Sequence, residues 1–413
     1  EVVKEFAGET PEAVQDTSFQ FHLYEEEDGQ RTAFANKEYQ LWKLTDGAWI
    51  QQTDRMYATD GSGILTLKAG EKAVFTELPD AGRIQIEEEE NPFWKTEITD
   101  NETVDDSGTA AVRTVTVANT YRPVLYAQKK TQAVPKGVDI SGEEFTFQLR
   151  VKGEDGTYTP VSNAEFWYVD SARTDGGIPT KVTSLGTAGE GYTDEEGRFT
   201  IRPGEIIALF PGDVGVEYQL KEVSGANGES DNWLCNSDTV EGTVPLQGIS
   251  TSITNIYRWK DLLLTKNLTH QDPSDCTQEF TFQIKKAEGD SGTPVSGKEW
   301  VLLNSDGTES TAPGDSGTLN ENGEFTCDCA GRTVRIRGLE GGETYTITET
   351  NSGELYRAAN TTQEAEMPLY SSSRSVEFIN DYLMRSLSVT KFVNYDRADQ
   401  AEVEKVEAKE FTM

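Results

Sequence analysis

An asparagine stands two residues before a tyrosine in three strand-like stretches of the chain, VTVANTY, TSITNIY and SVEFINDY. Alternate residues of an extended strand share a face, so Val117 and Asn119 point the same way, toward a core. The same alternation places a lysine among apolar residues in an earlier strand and a glutamate after apolar residues in another. The three candidate sets are Lys4, Glu88 and Asn119; Lys129, Glu222 and Asn255; and Lys266, Glu349 and Asn380.

A lysine, a glutamate and an asparagine on one core face could together form an amide crosslink. Unpaired buried charges are too costly for a small domain, so such groups must pair or neutralise. Burial lowers the pKa of a lysine and raises that of a glutamate, which favours a free amine beside a protonated acid. The amine is a nucleophile, and the acid can polarise the asparagine carbonyl and carry protons while ammonia leaves. We therefore expect one crosslink per set, formed once and without turnover, in a protein that is not an enzyme.

The residues leave three alternatives open. Glu87 replaces Glu88 if the register of its strand shifts by one residue, because such a shift turns Glu88 outward. Lys129 and Lys130 are adjacent, and we choose Lys129 because it continues the alternating apolar face. The lysines and glutamates could also be ordinary ion pairs, with each asparagine at a strand end serving as a cap.

The elements that must position these residues recur along the chain. The phrase FQFHL at 19–23 returns as FTFQL at 145–149 and FTFQI at 280–284, each roughly 15 residues after a candidate lysine. The lysines themselves, ending with Lys391, recur at intervals of roughly 125 to 137 residues. We predict three complete domains at 1–122, 123–259 and 260–383, called repeats 1, 2 and 3. A fourth begins at 384–413, with Lys391 as its candidate lysine.

Many short strands separated by turn signals, without sustained helical periodicity, indicate an all-β fold. We predict tandem immunoglobulin-like β-sandwich domains. The joins near residues 122–124, 258–261 and 383–386 are short, which favours a stiff rod of stacked domains over a string of flexibly linked ones.

Composition narrows the range of partners. A formal charge of −35 repels a phosphate backbone, so we expect no binding to nucleic acid or to an anionic membrane surface. No run of about 18 apolar residues appears, so we expect no membrane insertion in this segment. The histidines His22 and His270 are isolated, and we expect neither a metal nor a cofactor.

The four cysteines, Cys235, Cys276, Cys327 and Cys329, are too few for a disulfide framework in a chain of 413 residues. Cys327 takes the place of Ile201 in the preceding repeat, which favours a buried thiol. A bridge between Cys276 and Cys329 is the alternative, and the sequence does not decide between the two states.

The ordered set of a lysine in the first strand, a Tyr-x-Ile/Leu-x-Glu strand and a terminal Asn-x-Tyr strand resembles the isopeptide-forming B-type (Cna B) repeat domains of Gram-positive collagen adhesins and pilins. The resemblance covers repeats 1, 2 and 3 and the opening of the fourth. It implies a prealbumin-like sandwich and a Lys–Asn isopeptide bond assisted by the glutamate. The chain departs from that pattern at Ile84, where the other repeats have tyrosine, and at 134–136, a weak match to the pilin lysine motif.

From the repeats and this resemblance we predict the stalk or shaft of an adhesin or pilus on the extracellular surface or cell wall of a Gram-positive bacterium. Its partners would be neighbouring domains or subunits of the fibre. The alternative is an adhesin module in which one repeat binds a host glycan or matrix protein, and the insert-like stretch at 171–192 of repeat 2 is the place to look. A hydrolase lacks support, because no Ser/His/Asp or paired-carboxylate motif stands apart from the repeat.

Overall fold

The computed structural model describes residues 1–27, 29–76, 83–104, 111–183, 191–224, 230–235, 237–288 and 292–383. These residues form β-strands, and single-turn 3-10 helices occur at Glu12–Val14 and Pro273–Asp275. The prediction of an all-β chain is confirmed. Lys391 and the rest of the predicted fourth domain lie outside the described residues.

The chain divides into two compact units. The first comprises Glu1–Trp259 with Leu369–Ser372, and the second comprises Lys260–Pro368 with the residues from Ser373 onward. Repeats 1 and 2 therefore lie within one unit, and almost all of repeat 3 lies within the other.

Repeat 1 consists of two sheets. Its strands are β1 (Val2–Phe6), β2 (Ser18–Glu27), β3 (Gln30–Ala33), β4 (Glu38–Thr45), β5 (Ala48–Gln51), β6 (Tyr57–Ala58), β7 (Ile64–Lys68), β8 (Glu71–Val74), β9 (Arg83–Glu88), β10 (Trp94–Val104) and β11 (Ala111–Tyr121). One sheet has the order β10-β11-β1-β8-β4-β5, with β6 beside β4, and the other has the order β3-β2-β7, with β9 beside β2. Phe21 and Leu23 of one sheet and Val115 and Val117 of the other are buried in the same apolar cluster, which makes the pair a sandwich.

Repeat 2 is also a sandwich of two sheets. Its strands are β12 (Leu125–Gln132), β13 (Phe145–Lys152), β14 (Tyr158–Pro160), β15 (Phe166–Val169), β16 (Val182–Thr183), β17 (Arg198–Ile201), β18 (Ile206–Leu209), β19 (Glu217–Glu222), β20 (Trp233–Cys235), β21 (Thr239–Thr243) and β22 (Ile249–Tyr257). The sheets have the orders β16-β15-β18-β12-β22-β20 and β14-β13-β19-β21, with β17 beside β13. Phe147 and Leu220 of the second sheet pack on Leu125 and Ile253 of the first.

Repeat 3 follows the order of repeat 2 strand for strand. Its strands are β23 (Trp259–Thr269), β24 (Phe280–Lys286), β25 (Thr293–Pro294), β26 (Glu299–Leu303), β27 (Ser316–Thr318), β28 (Glu324–Cys327), β29 (Thr333–Glu340), β30 (Thr344–Asn351), β31 (Tyr356–Ala358), β32 (Thr362–Glu366) and β33 (Ser373–Tyr382). The sheets have the orders β27-β26-β29-β23-β33-β31 and β25-β24-β30-β32, with β28 beside β24. Phe282 and Ile347 face Leu264 and Phe378 across the core.

Candidate functional site

The first and last strands of each repeat are parallel neighbours in one sheet: β1 with β11, β12 with β22, and β23 with β33. Lys4 lies opposite Val117, two residues before the position opposite Asn119. Lys129 and Lys266 have the same offset from Asn255 and Asn380. Because the offset is two residues, the lysine and the asparagine of each repeat share the face that looks toward the second sheet.

The glutamate comes from that second sheet. Strands β9, β19 and β30 pair antiparallel with β2, β13 and β24, the strands that carry the Phe-x-Phe phrase. The second phenylalanine of the phrase lies directly opposite the glutamate in every repeat, which turns both side chains into the core. The pairs are Phe21 with Glu88, Phe147 with Glu222, and Phe282 with Glu349.

In repeat 2, one carboxylate bridges the amine and the amide. Lys129 Nζ donates to Glu222 Oε2 at 2.7 Å, and Asn255 Nδ2 donates to Glu222 Oε1 at 2.7 Å. The Lys129 and Glu222 side chains are both completely buried, whereas Lys130 is exposed. Burial lowers the pKa of Lys129 and raises that of Glu222, and their mutual attraction opposes both shifts. The structure thus brings Lys129 to the glutamate and leaves Lys130 in solvent.

In repeat 3, the three groups meet in the same way. Lys266 Nζ donates to Glu349 at 2.9 and 3.0 Å, and Asn380 Nδ2 donates to Glu349 Oε1 at 2.7 Å. Burial lowers the pKa of Lys266. The Oδ1 atom of Asn380 is buried and has no hydrogen-bond partner among the described residues. A buried carbonyl without a partner is costly, and the amide of Asn380 is bound to Glu349 through its nitrogen.

In repeat 1, Lys4 Nζ lies 3.1 Å from Glu88 Oε2, and Asn119 Nδ2 donates to Glu88 Oε1 at 2.6 Å. Burial lowers the pKa of Lys4 to about 8. Glu87 points outward and pairs with Arg31 at 2.7 Å, with about half of each side chain exposed. The register therefore places Glu88, and not Glu87, beside the amine.

A phenyl ring beside each amine is part of the site that the sequence did not identify. The lysine Nζ lies 4.3 Å from the ring centroid of Phe19, 4.2 Å from that of Phe145 and 4.7 Å from that of Phe280. These are the first phenylalanines of the repeated phrase, and they exclude water from the amine. The only sequence signal was the similar spacing of roughly 15 residues from the lysine to the repeated phrase. This spacing marks the repeat but does not indicate that the phenylalanine lies beside the amine.

The tyrosine of each Asn-x-Tyr ending fixes the strand end that carries the asparagine. Tyr121 lies directly opposite Trp94 on β10, with ring centroids 5.3 Å apart. Tyr257 lies opposite Trp233 at 5.1 Å, and Tyr382 lies opposite Tyr356 at 5.4 Å. Aromatic cross-strand pairs of this kind hold register.

The cysteines are free thiols. Cys276, Cys327 and Cys329 are buried in the core of repeat 3, and Cys327 lies opposite Phe280 just as Ile201 lies opposite Phe145. The buried-thiol interpretation is the one that the structure shows. Over the described ranges, no group of three or more His, Cys, Asp or Glu residues is arranged to hold a metal ion. In the same part of the chain, no helix is long and apolar enough to cross a membrane.

A family model described as "Domain of unknown function (DUF7601)" matches residues 1–121 and 260–382, together more than half of the chain. It does not extend over repeat 2. A search of curated protein sequences finds no match.

Several solved structures are similar to the chain. The major pilin from Streptococcus pyogenes has 14% sequence identity, with 63% of this chain and 99% of that chain covered and a TM-score of 0.28. The shaft pilin spaA from Lactobacillus rhamnosus GG has 16% identity, with coverage of 65% and 99% and a TM-score of 0.17. The Bacillus anthracis TIE protein has 12% identity, with coverage of 88% and 52% and a TM-score of 0.19.

Proposed function

This chain belongs to the DUF7601 family, and on that premise we propose that it is a load-bearing segment of a Gram-positive surface fibre, the shaft of a pilus or the stalk of an adhesin. Each of its three repeats, at 1–122, 123–259 and 260–383, closes an intramolecular isopeptide bond between its lysine and its asparagine. The observation that carries the proposal is the threefold recurrence of one carboxylate bridging a buried amine and a buried amide.

The bond forms by exchange of one amine for another at the asparagine side chain. The neutral Nζ attacks Cγ, a C–N bond forms, and the bond from Cγ to Nδ2 breaks. The glutamate contacts both nitrogens, so it can take the proton that Nζ loses and give it to the departing nitrogen, which leaves as ammonia. The fold supplies the geometry, with effective molarities that reach ~10⁵–10⁸ M for well-oriented groups.

The position of the bond suits a protein under tension. The chain enters each repeat through the first strand and leaves through the last, and these two strands are parallel neighbours. Force applied to the two ends would shear them apart and then unravel the sandwich. A bond from Lys129 to Asn255 carries the load directly between the strands and leaves the intervening residues unloaded.

Intact mass of the full chain tests the crosslinks. Each bond removes one ammonia, about 17 Da, so three bonds lower the mass by about 51 Da. Glu222→Gln keeps the shape of the side chain but cannot relay a proton. We expect this variant to lose two molecules of ammonia instead of three. Glu217→Gln on the same strand is the matched control, because Glu217 pairs with Lys152 at the surface. A wild-type mass equal to the sequence value would refute the crosslink.

Single-molecule pulling tests the mechanical role. We expect wild-type repeats to show no unfolding step, whereas repeat 2 of Glu222→Gln should release the chain between Lys129 and Asn255, roughly 40 nm at about 3.3 Å per residue. Release of that length from a crosslinked wild-type repeat would contradict the load-bearing role. Binding of a host glycan or matrix protein remains a prediction from the sequence.

A further inference from the structure

The cores of repeats 1 and 2 are joined across their boundary. One continuous cluster of buried side chains contains residues of both repeats. The cluster includes Val14, Phe93, Trp94 and Tyr121 of repeat 1 and Val124, Tyr126, Val169, Ala208 and Phe210 of repeat 2. Phe93 and Phe210 meet edge to face, with ring centroids 5.5 Å apart. Side chains that would face solvent in an isolated domain are therefore buried here, a strong reason for the two domains to stay together.

The insert of repeat 2 supplies part of this contact. Ala172, Ile178 and Val182 are partly buried against the shared cluster. Gly176 approaches Pro11 of repeat 1 so closely that an added Cβ would lie 2.4 Å from the Cβ of Pro11. Its φ of +83° also belongs to the left-handed region that favours glycine. The insert is thus shaped to fit the surface of repeat 1 around Pro11.

Polar contacts fix the join and the insert. Arg122 donates to the carbonyl of Pro92 at 2.8 Å and to Glu165 at 2.9 Å, and its guanidinium lies 4.0 Å from the ring centroid of Phe210. Within the insert, Arg173 holds Asp175 through two hydrogen bonds of 3.1 and 2.9 Å. These contacts oppose both bending at the join and opening of the insert.

We infer that residues 171–183 of the repeat 2 insert form a docking element for repeat 1, and that the two repeats fold and move as one two-domain body. The packed side of residues 171–183 is then occupied by the protein itself and is not open to a host ligand. This inference is independent of the crosslinks, because it rests on residues outside the three sites.

Hydrogen exchange of the full chain tests the docking with two matched glycine variants. Gly176→Ala places a Cβ against Pro11, whereas Gly156→Ala adds one at a similar φ of +80° with no heavy atom within 4 Å. Both variants carry the same backbone penalty, so their difference reports the contact with repeat 1. We expect Gly176→Ala to speed exchange of the Val14 and Thr17 amides, which bond to Pro11 and Val14, at least about tenfold. Gly156→Ala should leave them unchanged.

A second pair of variants covers the case in which Gly176→Ala fails to fold. Phe210→Leu removes the aromatic ring that contacts both Phe93 and Arg122. Phe199→Leu is the control, because Phe199 lies inside the core of repeat 2. We expect Phe210→Leu, and not Phe199→Leu, to speed exchange of the Arg122 amide, which donates to the carbonyl of Phe93. Unchanged exchange in repeat 1 for Phe210→Leu and for any folded Gly176→Ala would overturn the inference. The ammonia losses measured by intact mass should be the same in all four variants.

Discussion

Repeats 2 and 3 build the same site from sequences that have diverged elsewhere. The DUF7601 model matches repeat 3 and does not match repeat 2, which also carries the insert at 171–192. Yet both repeats have the same strand order, the same offset of two residues between lysine and asparagine, and the same carboxylate between them. The site is therefore set by the register of four strands, β12, β13, β19 and β22 in repeat 2 and β23, β24, β30 and β33 in repeat 3.

Removing one asparagine from each repeat should have the largest effect. Asn255→Ala and Asn380→Ala would each remove one of the three proposed crosslinks, so each variant should lose two molecules of ammonia, about 34 Da, instead of three, about 51 Da. The closed loops, residues 129–255 and 266–380, are similar in length, so each repeat should lose roughly 4–5 kcal/mol of unfolding free energy if chain entropy dominates. Intact mass and denaturant unfolding measure both quantities.

The exposed Asn360→Ala is the control for these two variants and should change neither quantity. A large loss in one repeat beside a negligible loss in the other would break the equivalence of the two sites.

Replacing the phenylalanine beside the amine should have the next largest effect. Phe145→Leu and Phe280→Leu keep an apolar side chain but open space around the amine, which admits water and returns its pKa toward the ordinary value. A larger protonated fraction means slower attack on the asparagine, and we expect both variants to release ammonia more slowly after refolding. Time-resolved intact mass gives the rates, and Phe325→Leu, in the core of repeat 3, is the control. Equal rates of ammonia release for Phe280→Leu and Phe325→Leu would show that the ring beside the amine has no specific role in the reaction.

The pH dependence of uncrosslinked variants extends the comparison to repeat 1. In Asn119→Ala, the folded pKa of Lys4 stays near 8, against an ordinary value of 10.5. Between pH of about 8 and about 10.5, Lys4 is mostly protonated in the unfolded state and mostly neutral in the folded state. The unfolding free energy of repeat 1 should therefore rise with pH over this range. In Asn255→Ala, burial raises the pKa of Glu222 above its ordinary value of 4.5. The unfolding free energy of repeat 2 should therefore fall as the pH rises above about 4.5. Denaturant unfolding at several pH values measures both, and a fall in the stability of repeat 1 over that window would contradict the buried amine.

The smallest effect should come from Glu87. Glu87→Gln removes an exposed pair with Arg31 and should change the unfolding free energy by less than about 0.5 kcal/mol, with all ammonia losses retained. Glu88→Gln should abolish the loss from repeat 1. If the two variants exchanged these results in a mass measurement, the register of β9 would be wrong by one residue.

Most of the site could be predicted because a strand has a period of two residues. Apolar neighbours at alternate positions assign Lys266, Glu349 and Asn380 to the core face without knowledge of the sheet order. The choice between Glu87 and Glu88 was harder, since it depends on how β9 pairs with β2. Nothing in the EEEE run itself distinguishes these residues.

The contacts between distant residues could not be predicted. Phe19 looked like an ordinary core residue, and its position over Lys4 follows from the packing of two sheets. The sequence marked the insert of repeat 2 only as a candidate ligand site, and the packing of Ala172, Ile178 and Val182 against the shared cluster was not predicted. Gly176 of the same insert meets Pro11, 165 positions earlier (176 − 11), and the local sequence does not encode such a contact.

Because the glutamate lies in the facing sheet, the proposed bond can form only in a repeat that has folded. Lysine and asparagine lie in one sheet and meet the acid only after both sheets have closed on the core. A nascent or half-folded repeat therefore stays a linear chain, and a crosslinked repeat has reached its native packing at least once. If that packing is later lost, the first and last strands remain joined near their native register, so the repeat begins its next attempt at folding with its most distant contact already made.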